Sequence, residues 1–375
     1  MIRLVLLLAL LALPARAEVT LGAVLSLTGP SAGLGIPARN TVELLPRTLA
    51  GEPVRWVVLD DGSDPTAAVR AVRKLVDEER VDVILGPSNT PNSLAVLDVI
   101  VGTPTVSLAG SASVIEPPEG ARRWAFKLTP TERIATGQVA EHMAAAGIRT
   151  IASIGFANSF GDGYIGAMEA EAAARGIQSL LQVRYNLTDT SLTPQVLRLI
   201  QAKPDAIFVA GSGTPGVAPM IELRARGYTG PIYTNQGIAN PDALRVGGRA
   251  LDGTRFSAVP VLVAEQLPDD APVKASALAY VRAYEAKHGP GSRSLFGAIL
   301  WDAFFLADAG AKVALGQAQP GTAEFRLALR DAMERVRGLA GAQAVFNLTP
   351  TDHSGAEASS QVMVEVRDGG YRMLP

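Results

Sequence analysis

Short apolar runs alternate with stretches of helical periodicity along the first third of the chain. Between two of these runs, Thr66–Glu79 places its apolar side chains on one helical face, which predicts an amphipathic helix. Strands separated by helices of about ten to fifteen residues are typical of βαβ units with a parallel sheet. The apolar runs that predict strands here are Val19–Leu27, Val54–Leu59, Val81–Leu85 and Pro104–Leu108.

The same alternation begins again after residue 149. Because this second series repeats the architecture of the first without repeating its sequence, it predicts a second lobe of the same kind. The predicted fold class is therefore α/β, with two doubly wound lobes. The strands predicted in the second series are Thr150–Phe156, Gln178–Tyr185, Asp205–Val209 and Ile232–Thr234.

From Arg255 onward the pattern changes to one strand over Arg255–Val263, three helices, and a last strand over Gln361–Val366. These elements do not make a third lobe, so we expect the helices to pack on the first lobe and the last strand to return to the second. The chain would then cross between the lobes more than once, which makes a hinge. We predict a first lobe of residues 18–132 plus 258–350 and a second lobe of residues 133–257 plus 351–375.

The first 17 residues have the pattern of a secretory signal peptide. Arg3 supplies a positive charge, Leu4–Leu13 is apolar, and Ala15 and Ala17 form a small-x-small cleavage signal. The apolar run is too short to span a bilayer. We therefore predict cleavage after Ala17 and export to the periplasm.

Composition excludes several classes of site and partner. The chain has no cysteine, so it has no disulfide, no zinc–thiolate site and no cysteine nucleophile. Its formal net charge of −2 is too small to indicate a nucleic-acid partner. The sequence motifs of zinc proteases and P-loop proteins do not occur. Because no set of nucleophile, base and orienting group emerges, we expect a protein that is not an enzyme and that uses no cofactor or metal.

Two uncharged loops, Gly86–Pro91 and Ala109–Ser113, follow the third and fourth predicted strands. The carboxyl ends of parallel strands are where open α/β sheets bind ligands. Thr90 before Pro91 has the signature of a helix N-cap, and helix N-termini offer free N–H groups to an anion. Thr90 could be a cap alone, or it could also help to hold a carboxylate.

A dinucleotide-binding site is a weaker interpretation of the first turn. Gly33–Ala38 matches GxGxxA, and Asp60 or Asp61 could be the acid that binds a ribose. However, five residues separate the first strand from Gly33, and Pro30 and Pro37 interrupt the turn. An exported NAD(P)-dependent oxidoreductase is therefore kept only as an alternative.

Two further sets of polar residues have structural interpretations. Asp60, Asp61 and Asp64 lack the spacing of an EF-hand, so they predict a turn and a helix cap. The three histidines are widely spaced, and we expect them at the surface: His142, His288 and His353.

Three loops of the second series follow strands in the same way as the loops of the first. They are Asn158–Tyr164, Gly211–Pro215 and Asn235–Gly237. If the two lobes close on each other, these loops face those of the first lobe across a cleft.

Several segments together resemble the leucine/isoleucine/valine-binding family, the periplasmic solute-binding proteins of ABC importers. After the signal peptide, these segments are LGAVLSLTGPSAGLG, VVLDDGSDPTAAVRAVRKLVDEERVDVILGPSNT, SIGFANSFGDGY and PDAIFVAGSG. The resemblance implies two Rossmann-like lobes joined by three crossovers, with the ligand in the cleft and closure on binding. It also implies three partners, namely a small carboxylate ligand, a membrane permease and an ATPase, and we expect the protein to be a monomer.

The resemblance also implies which residues hold the ligand. The family's carboxylate-binding hydroxyl falls on Thr90, and where the family commonly has a second threonine this chain has Ala112. Leu34 and Phe160 would flank the apolar part of the ligand, and Ser212 stands where amino-acid binders have a tyrosine or another polar residue. The implied site residues are Leu34, Ser88, Asn89, Thr90, Gly110, Ser111, Ala112, Phe160, Ser212 and Gln236.

The acid that meets a ligand's ammonium group in the family falls on Gln236. A neutral amide cannot form that ion pair, and burying an unpaired charge is costly. We therefore expect a carboxylate without an α-amino group, such as an aromatic or branched-chain oxo acid. A branched-chain amino acid is the alternative if Asp162, Glu222 or Asp242 approaches the ammonium. A sensory subunit of a membrane receptor would use the same closed form.

Overall fold

The computed structural model describes residues 18–110 and 123–375, which form two open sheets flanked by helices. The predicted signal peptide lies outside the described residues. Strands of the first sheet are β1 (Val19–Leu25), β2 (Thr48–Leu49), β3 (Glu52–Asp60), β4 (Val83–Leu85), β5 (Val106–Ala109) and β6 (Ala125–Lys127). Strands of the second sheet are β7 (Thr150–Phe156), β8 (Gln178–Tyr185), β9 (Ala206–Ala210), β10 (Ile232–Thr234), β11 (Arg255–Ala258), β14 (Val362–Arg367) and β15 (Gly370–Met373). A separate hairpin pairs β12 (Leu339–Ala340) with β13 (Val345–Phe346).

Helices cover both faces of the sheets. In the first part of the chain they are α1 (Ala32–Val42), α2 (Pro65–Arg73), α3 (Thr90–Ala95), α4 (Leu97–Gly102), α5 (Glu132–Ala145) and α6 (Ser159–Ala173). Further along they are α7 (Thr193–Gln201), α8 (Gly213–Ala225), α9 (Pro241–Gly247), α10 (Lys274–His288), α11 (Leu295–Ala314) and α12 (Ala323–Met333).

The strand order confirms the predicted doubly wound α/β fold. Among the described residues, the first sheet runs β2-β3-β1-β4-β5-β6 and the second runs β15-β14-β11-β10-β9-β7-β8. Every residue of β1 is buried, and β1 pairs in parallel with β3 and β4. A parallel strand that is covered on both faces needs a continuous apolar run, and this is why VTLGAVL predicts its position.

The strand predicted over Arg255–Val263 is shorter in the structure. It ends at Ala258, and a 3-10 segment over Pro260–Gln266 follows. Proline has no N–H group to donate to a sheet, so the ladder stops before Pro260. The last predicted strand does return to the second sheet, where β14 pairs antiparallel with β11, and β15 extends that edge.

The chain passes between the two sheets at three places, and two of these crossings lie side by side. The backbone N–H of Lys127 donates to the carbonyl oxygen of His353 (3.1 Å), and the Ser354 hydroxyl donates to the carbonyl of Thr129 (3.2 Å). The first and third crossings are thus hydrogen-bonded to each other. The lobe bounds given above stay a prediction at the level of single residues.

The predicted surface position of His353 is wrong. Its side chain is buried, and its ring stacks on Phe126 with 4.0 Å between the ring centroids. Its Nδ1 lies 2.9 Å from the carbonyl oxygen of Ala125, and its Nε2 lies 3.3 Å from Glu334 Oε1. Burial lowers the pKa of His353. His142 is half-buried, with Nδ1 3.0 Å from the Tyr233 hydroxyl. Sequence spacing alone carries no information on these tertiary contacts.

Candidate functional site

A cavity of about 320 Å³ lies between the two lobes at the carboxyl ends of their strands. Eight of its lining residues come from the first lobe: Pro30, Ser31, Leu34, Ser63, Asn89, Thr90, Pro91 and Phe296. Six come from the second lobe: Phe156, Asn158, Phe160, Leu187, Ser212 and Gly237. None of these side chains is charged, so the main cavity combines an apolar wall with hydroxyl and amide groups.

The N-cap positions of four helices lie at this main cavity. They are Ser31 of α1, Asn89 of α3, Asn158 of α6 and Ser212 of α8. The first N–H groups of a helix have no partner within the helix, and the helix dipole is positive at this end. Three of these helices have eleven residues or more. The cavity can therefore stabilise an anionic group without a lysine or arginine.

The four cap residues divide into two kinds. The Asn89 side chain accepts from the N–H of Asn92 (2.9 Å), and Asn158 accepts from Gly161 (3.2 Å). Ser31 and Ser212 make no such side-chain cap. One serine hydroxyl from each lobe thus lines the cavity without serving as a cap.

The prediction that Thr90 caps a helix is wrong by one residue. Asn89 is the cap, and Thr90 is the first residue of α3, which has only six residues. The Asn89 Nδ2 donates to Ser26 Oγ (3.2 Å), and the N–H of Ser26 donates to Ser88 Oγ (3.1 Å). These bonds fix the loop to the end of β1. Thr90 is fully buried as a residue yet contributes to the cavity wall.

A smaller cavity of about 30 Å³ lies behind the main one, and we call it the rear cavity. The two share the side chains of Phe160 and Phe296 and the backbone of Gly237. The rear cavity is also lined by Gly110, Thr129, Glu132, Tyr164, Gln236, Leu295 and Ile299.

The sequence-predicted residues are distributed over three cavities. A third, apolar cavity under α11 is lined by Ser88, Leu34 and Gly110 among others. Ser111 and Ala112 lie outside the described residues. The structure places Leu34, Asn89, Thr90, Phe160 and Ser212 at the main cavity and Gly110, Phe160 and Gln236 at the rear one.

Gln236 is held in one orientation. Its side chain is buried, and its Oε1 accepts a hydrogen bond from the backbone N–H of Val259 (3.2 Å). Because that donor requires the amide oxygen, the amide NH₂ is the end left for the rear cavity, and an NH₂ group can only donate. At this position the chain therefore offers a hydrogen-bond donor instead of an acid.

An ion pair beside Gln236 escaped the sequence analysis. Lys127 Nζ lies 3.0 Å from Glu132 Oε2, and only 2% and 13% of the two side chains are exposed. Lys127 ends β6 and Glu132 begins α5, so the pair spans the first crossing. Burial raises the pKa of Tyr164, and the negative charge of Glu132 raises it further. The one sequence signal that pointed to Lys127 was its position as a lone lysine inside the apolar run Trp124–Leu128.

The three acids considered for an ammonium group lie elsewhere. Each is paired with an arginine and lines none of the cavities described above. The pairs are Asp162–Arg184 (2.8 Å), Glu222–Arg226 (2.9 Å) and Asp242–Arg245 (3.1 Å).

The GxGxxA match does not form a phosphate-binding turn. Gly33–Ala38 lies inside α1 and not between a strand and a helix. A Cβ on Gly35 would lie 2.1 Å from the carbonyl oxygen of Ser26, so this glycine allows α1 to pack closely against the end of β1. Asp64 caps α2 through the N–H of Ala67 (2.7 Å), as predicted. In residues 18–110 and 123–375 no group of three or more His, Asp or Glu could hold a metal ion.

The sequence profile of the family described as "Periplasmic binding protein" matches residues 18–370. The chain belongs to the periplasmic binding protein family. Proteins of this family lie in the periplasm or outside the cell, and no helix in the described parts of this binding protein is long and apolar enough to cross a membrane.

Known relatives are receptors and binding proteins. An extracellular ligand-binding receptor from Rhodopseudomonas palustris HaA2 is 37% identical, with a TM-score of 0.92 over 96% of this chain and 100% of that one. A Leu/Ile/Val-binding protein of Rhizobium johnstonii is 23% identical over 65% of this chain and 68% of its own. An ABC transporter solute-binding protein of R. palustris, solved with benzoate, is 20% identical with a TM-score of 0.80, and the match covers 96% of each chain. This kinship supports a binding protein and not an enzyme.

Proposed function

We propose that this binding protein is the substrate-binding component of an ABC importer, and that its ligand is a small carboxylate without an α-amino group. An aromatic or branched-chain oxo acid is the favoured ligand. The observation that carries this proposal is the orientation of Gln236, whose amide NH₂ is the end available to the rear cavity.

The carboxylate is supported by the N-caps around the main cavity. Ser31 and Ser212 offer hydroxyl groups from opposite lobes, and each stands at the positive end of a helix dipole. Each hydrogen bond to a charged group contributes about 1.5–3 kcal/mol. Because the donors come from both lobes, an anion held by them also favours closure.

The apolar body of the ligand is supported by the walls of the same cavity. Leu34, Phe160 and Phe296 line it, together with Phe156 and Leu187. Aromatic rings of this kind stack on a flat ligand or pack against a branched one. The cavity volume of about 320 Å³ is at the small end of ligand pockets.

The absence of an α-amino group is supported by hydrogen-bond polarity. An ammonium group can only donate, so it cannot pair with the NH₂ of Gln236, which also only donates. A ketone oxygen accepts, so it can. Among relatives, one solute-binding protein was solved with benzoate and another is named for leucine, isoleucine and valine, so kinship alone leaves both ligand classes open.

A branched-chain amino acid is the second candidate, because the Glu132 carboxylate lines the same rear cavity as Gln236. The carboxylate of Glu132 is already paired with Lys127, so it is less available as an acceptor for an ammonium group. The amino acid would therefore bring a third charge into a small, poorly solvated space.

A thermal-shift panel of matched ligands tests the proposal. Phenylpyruvate and 4-methyl-2-oxopentanoate are compared with phenylalanine and leucine, their amino counterparts. A ligand at one hundred times its Kd stabilises the folded state by about 2.7 kcal/mol. We expect at least one oxo acid to raise the melting temperature more than its amino counterpart. A panel in which only the amino acids raise the melting temperature would establish the second candidate instead.

A further inference from the structure

The rear cavity contains both a donor and an acceptor that the proposed function does not fully use. The NH₂ of Gln236 is the donor. The acceptor is Glu132, whose Oε2 receives the hydrogen bond from Lys127, while no bond to Oε1 is found among the described residues. The rear cavity and the main cavity share Phe160, Phe296 and Gly237 in their walls, so a ligand group that passes these residues would reach the rear cavity.

We propose that Glu132 is a specificity-determining residue that accepts a hydrogen bond from a hydroxyl group of the ligand. The inference rests on the proposed function. Within its class of carboxylates without an α-amino group, it favours those with a hydroxyl group in the rear cavity over the oxo acids. Glu132 touches the ligand, and Lys127 is a positioning residue that holds the carboxylate in place.

A hydroxyl group matches this cavity because it accepts and donates at once. It accepts from the Gln236 amide and donates to Glu132. A ketone in the same place satisfies Gln236 but leaves Glu132 facing another acceptor. An ammonium group satisfies Glu132 but opposes the Gln236 donor.

Electrostatics also favours a hydroxyl group, which is neutral, over an ammonium group in this cavity. The Lys127–Glu132 pair is neutral as a whole and almost fully buried. A hydroxyl group keeps the total charge of the cavity at zero, whereas an ammonium group adds an uncompensated positive charge, which is costly in a buried site. The side chains of Thr129 and Tyr164 complete the polar wall, and burial keeps the Tyr164 hydroxyl protonated.

The size of the rear cavity limits what can enter it. Its volume of about 30 Å³ has room for one hydroxyl group or one water molecule. The apolar body of the ligand must remain between Phe160 and Phe296. The hydroxyl can stand beside the carboxylate, as in a 2-hydroxy acid, or at the far end of the ligand, as in a phenol.

Isothermal titration of the full mature protein with three ligands tests the inference. The parent is 3-phenylpropanoate, and the two hydroxylated forms are 2-hydroxy-3-phenylpropanoate and 3-(4-hydroxyphenyl)propanoate. We expect one of the two to bind at least tenfold more tightly than the parent, and the tighter one identifies the position of the hydroxyl. Equal affinities for all three would overturn the inference and leave the proposed carboxylate binding intact.

Variants separate recognition from structural support. In Glu132→Gln we expect the hydroxyl preference to fall below threefold, while the parent still binds. The double variant Lys127→Met with Glu132→Gln removes both charges and should give the same loss of preference without an unpaired lysine. Glu365→Gln is the matched control, since Glu365 is a half-buried acid paired with Arg255 (3.0 Å) that lines none of these cavities. A preference that survives in both Glu132 variants would contradict the assignment.

Discussion

At the scale of single residues, hydrogen-bond polarity decides what the site accepts. Gln236 is fixed by a neighbour 23 positions along the chain, and this contact sets which end of its amide meets the ligand. A buried polar group left facing the wrong partner costs about 1–3 kcal/mol. One amide can therefore separate oxo acids from amino acids that have the same apolar body.

The substitution Gln236→Glu tests this polarity. The carboxylate replaces a donor by a negative charge, so oxo acids should bind at least tenfold more weakly, which corresponds to about 1.4 kcal/mol. Amino acids should bind more tightly. Isothermal titration measures both, and Gln266→Glu is the control because Gln266 binds Tyr371 at the surface. Unchanged affinities for both ligand classes would place Gln236 outside the site.

A buried carboxyl in the helix behind the site gives a second prediction at this scale. Asp302 of α11 accepts from the N–H groups of Ala342 and Gln343, and burial raises its pKa to about 7 from an ordinary value of 3.8. A raised pKa means that the folded state prefers the protonated form. The contribution of Asp302 to the free energy of unfolding is therefore most favourable below pH 4, and this contribution is lost as the pH rises towards 7.

The expected result is a pH-dependent difference between the wild type and Asp302→Asn, which cannot ionise. The advantage of the wild type in free energy of unfolding should decrease between pH 4 and pH 8, by an amount on the order of 4 kcal/mol at most. Urea unfolding at several pH values measures it. A difference that is constant with pH would mean that Asp302 keeps the same charge in the folded and unfolded states.

At the scale of elements, the helix N-termini bring the polar groups of both lobes to one place. Asn89 and Asn158 use their side chains to cap their helices, whereas Ser31 and Ser212 do not. This division separates residues that stabilise the fold from residues that are available to the ligand.

Ser212→Ala should therefore weaken binding without weakening the fold. We expect the free energy of unfolding to change by less than about 0.5 kcal/mol. Carboxylate affinity should fall about ten- to a hundredfold because one hydrogen bond to a charged group is lost. Asp64→Ala is the contrasting control, since Asp64 caps α2 and its side chain lines none of these cavities. It should lose about 1 kcal/mol of stability and no affinity. The prediction fails if Ser212→Ala loses stability and keeps its affinity.

Elements with strong local signals were predictable from the sequence, and tertiary contacts were not. Thr150–Phe156 and Gln178–Tyr185 have the same bounds in the prediction and in the structure. Helix α5 was missed because its apolar face is weak, since two of its five buried positions are alanine and one is threonine. The Lys127–Glu132 pair depends on how the chain folds where it crosses between the lobes, and no local pattern encodes that contact.

At the scale of the whole molecule, binding depends on how closely the two lobes meet. Helix α1 of the first lobe packs against α8 of the second across the mouth of the main cavity. A Cβ added to Gly213 would lie 3.2 Å from Leu34 Cδ1, and Gly213 has a positive φ of 58°. A larger residue here would hold the lobes apart.

Gly213→Ala should reduce ligand affinity several-fold, because closure must push Leu34 aside. The positive φ also strains alanine, so some stability is lost for a local reason. Gly227→Ala is the matched control, since Gly227 has a φ of 81° and nothing within 4 Å of an added Cβ. It should lose stability alone. Equal affinities of the two variants, measured by titration, would show that this contact does not limit closure.

The central claim is that a carboxylate without an α-amino group binds between the lobes. The most direct test is isothermal titration of the mature protein with phenylpyruvate and with phenylalanine, which differ in the group that would face Gln236. We predict that phenylpyruvate binds at least a hundredfold more tightly, a difference of about 2.7 kcal/mol. Phenylalanine binding equally or more tightly would contradict the claim.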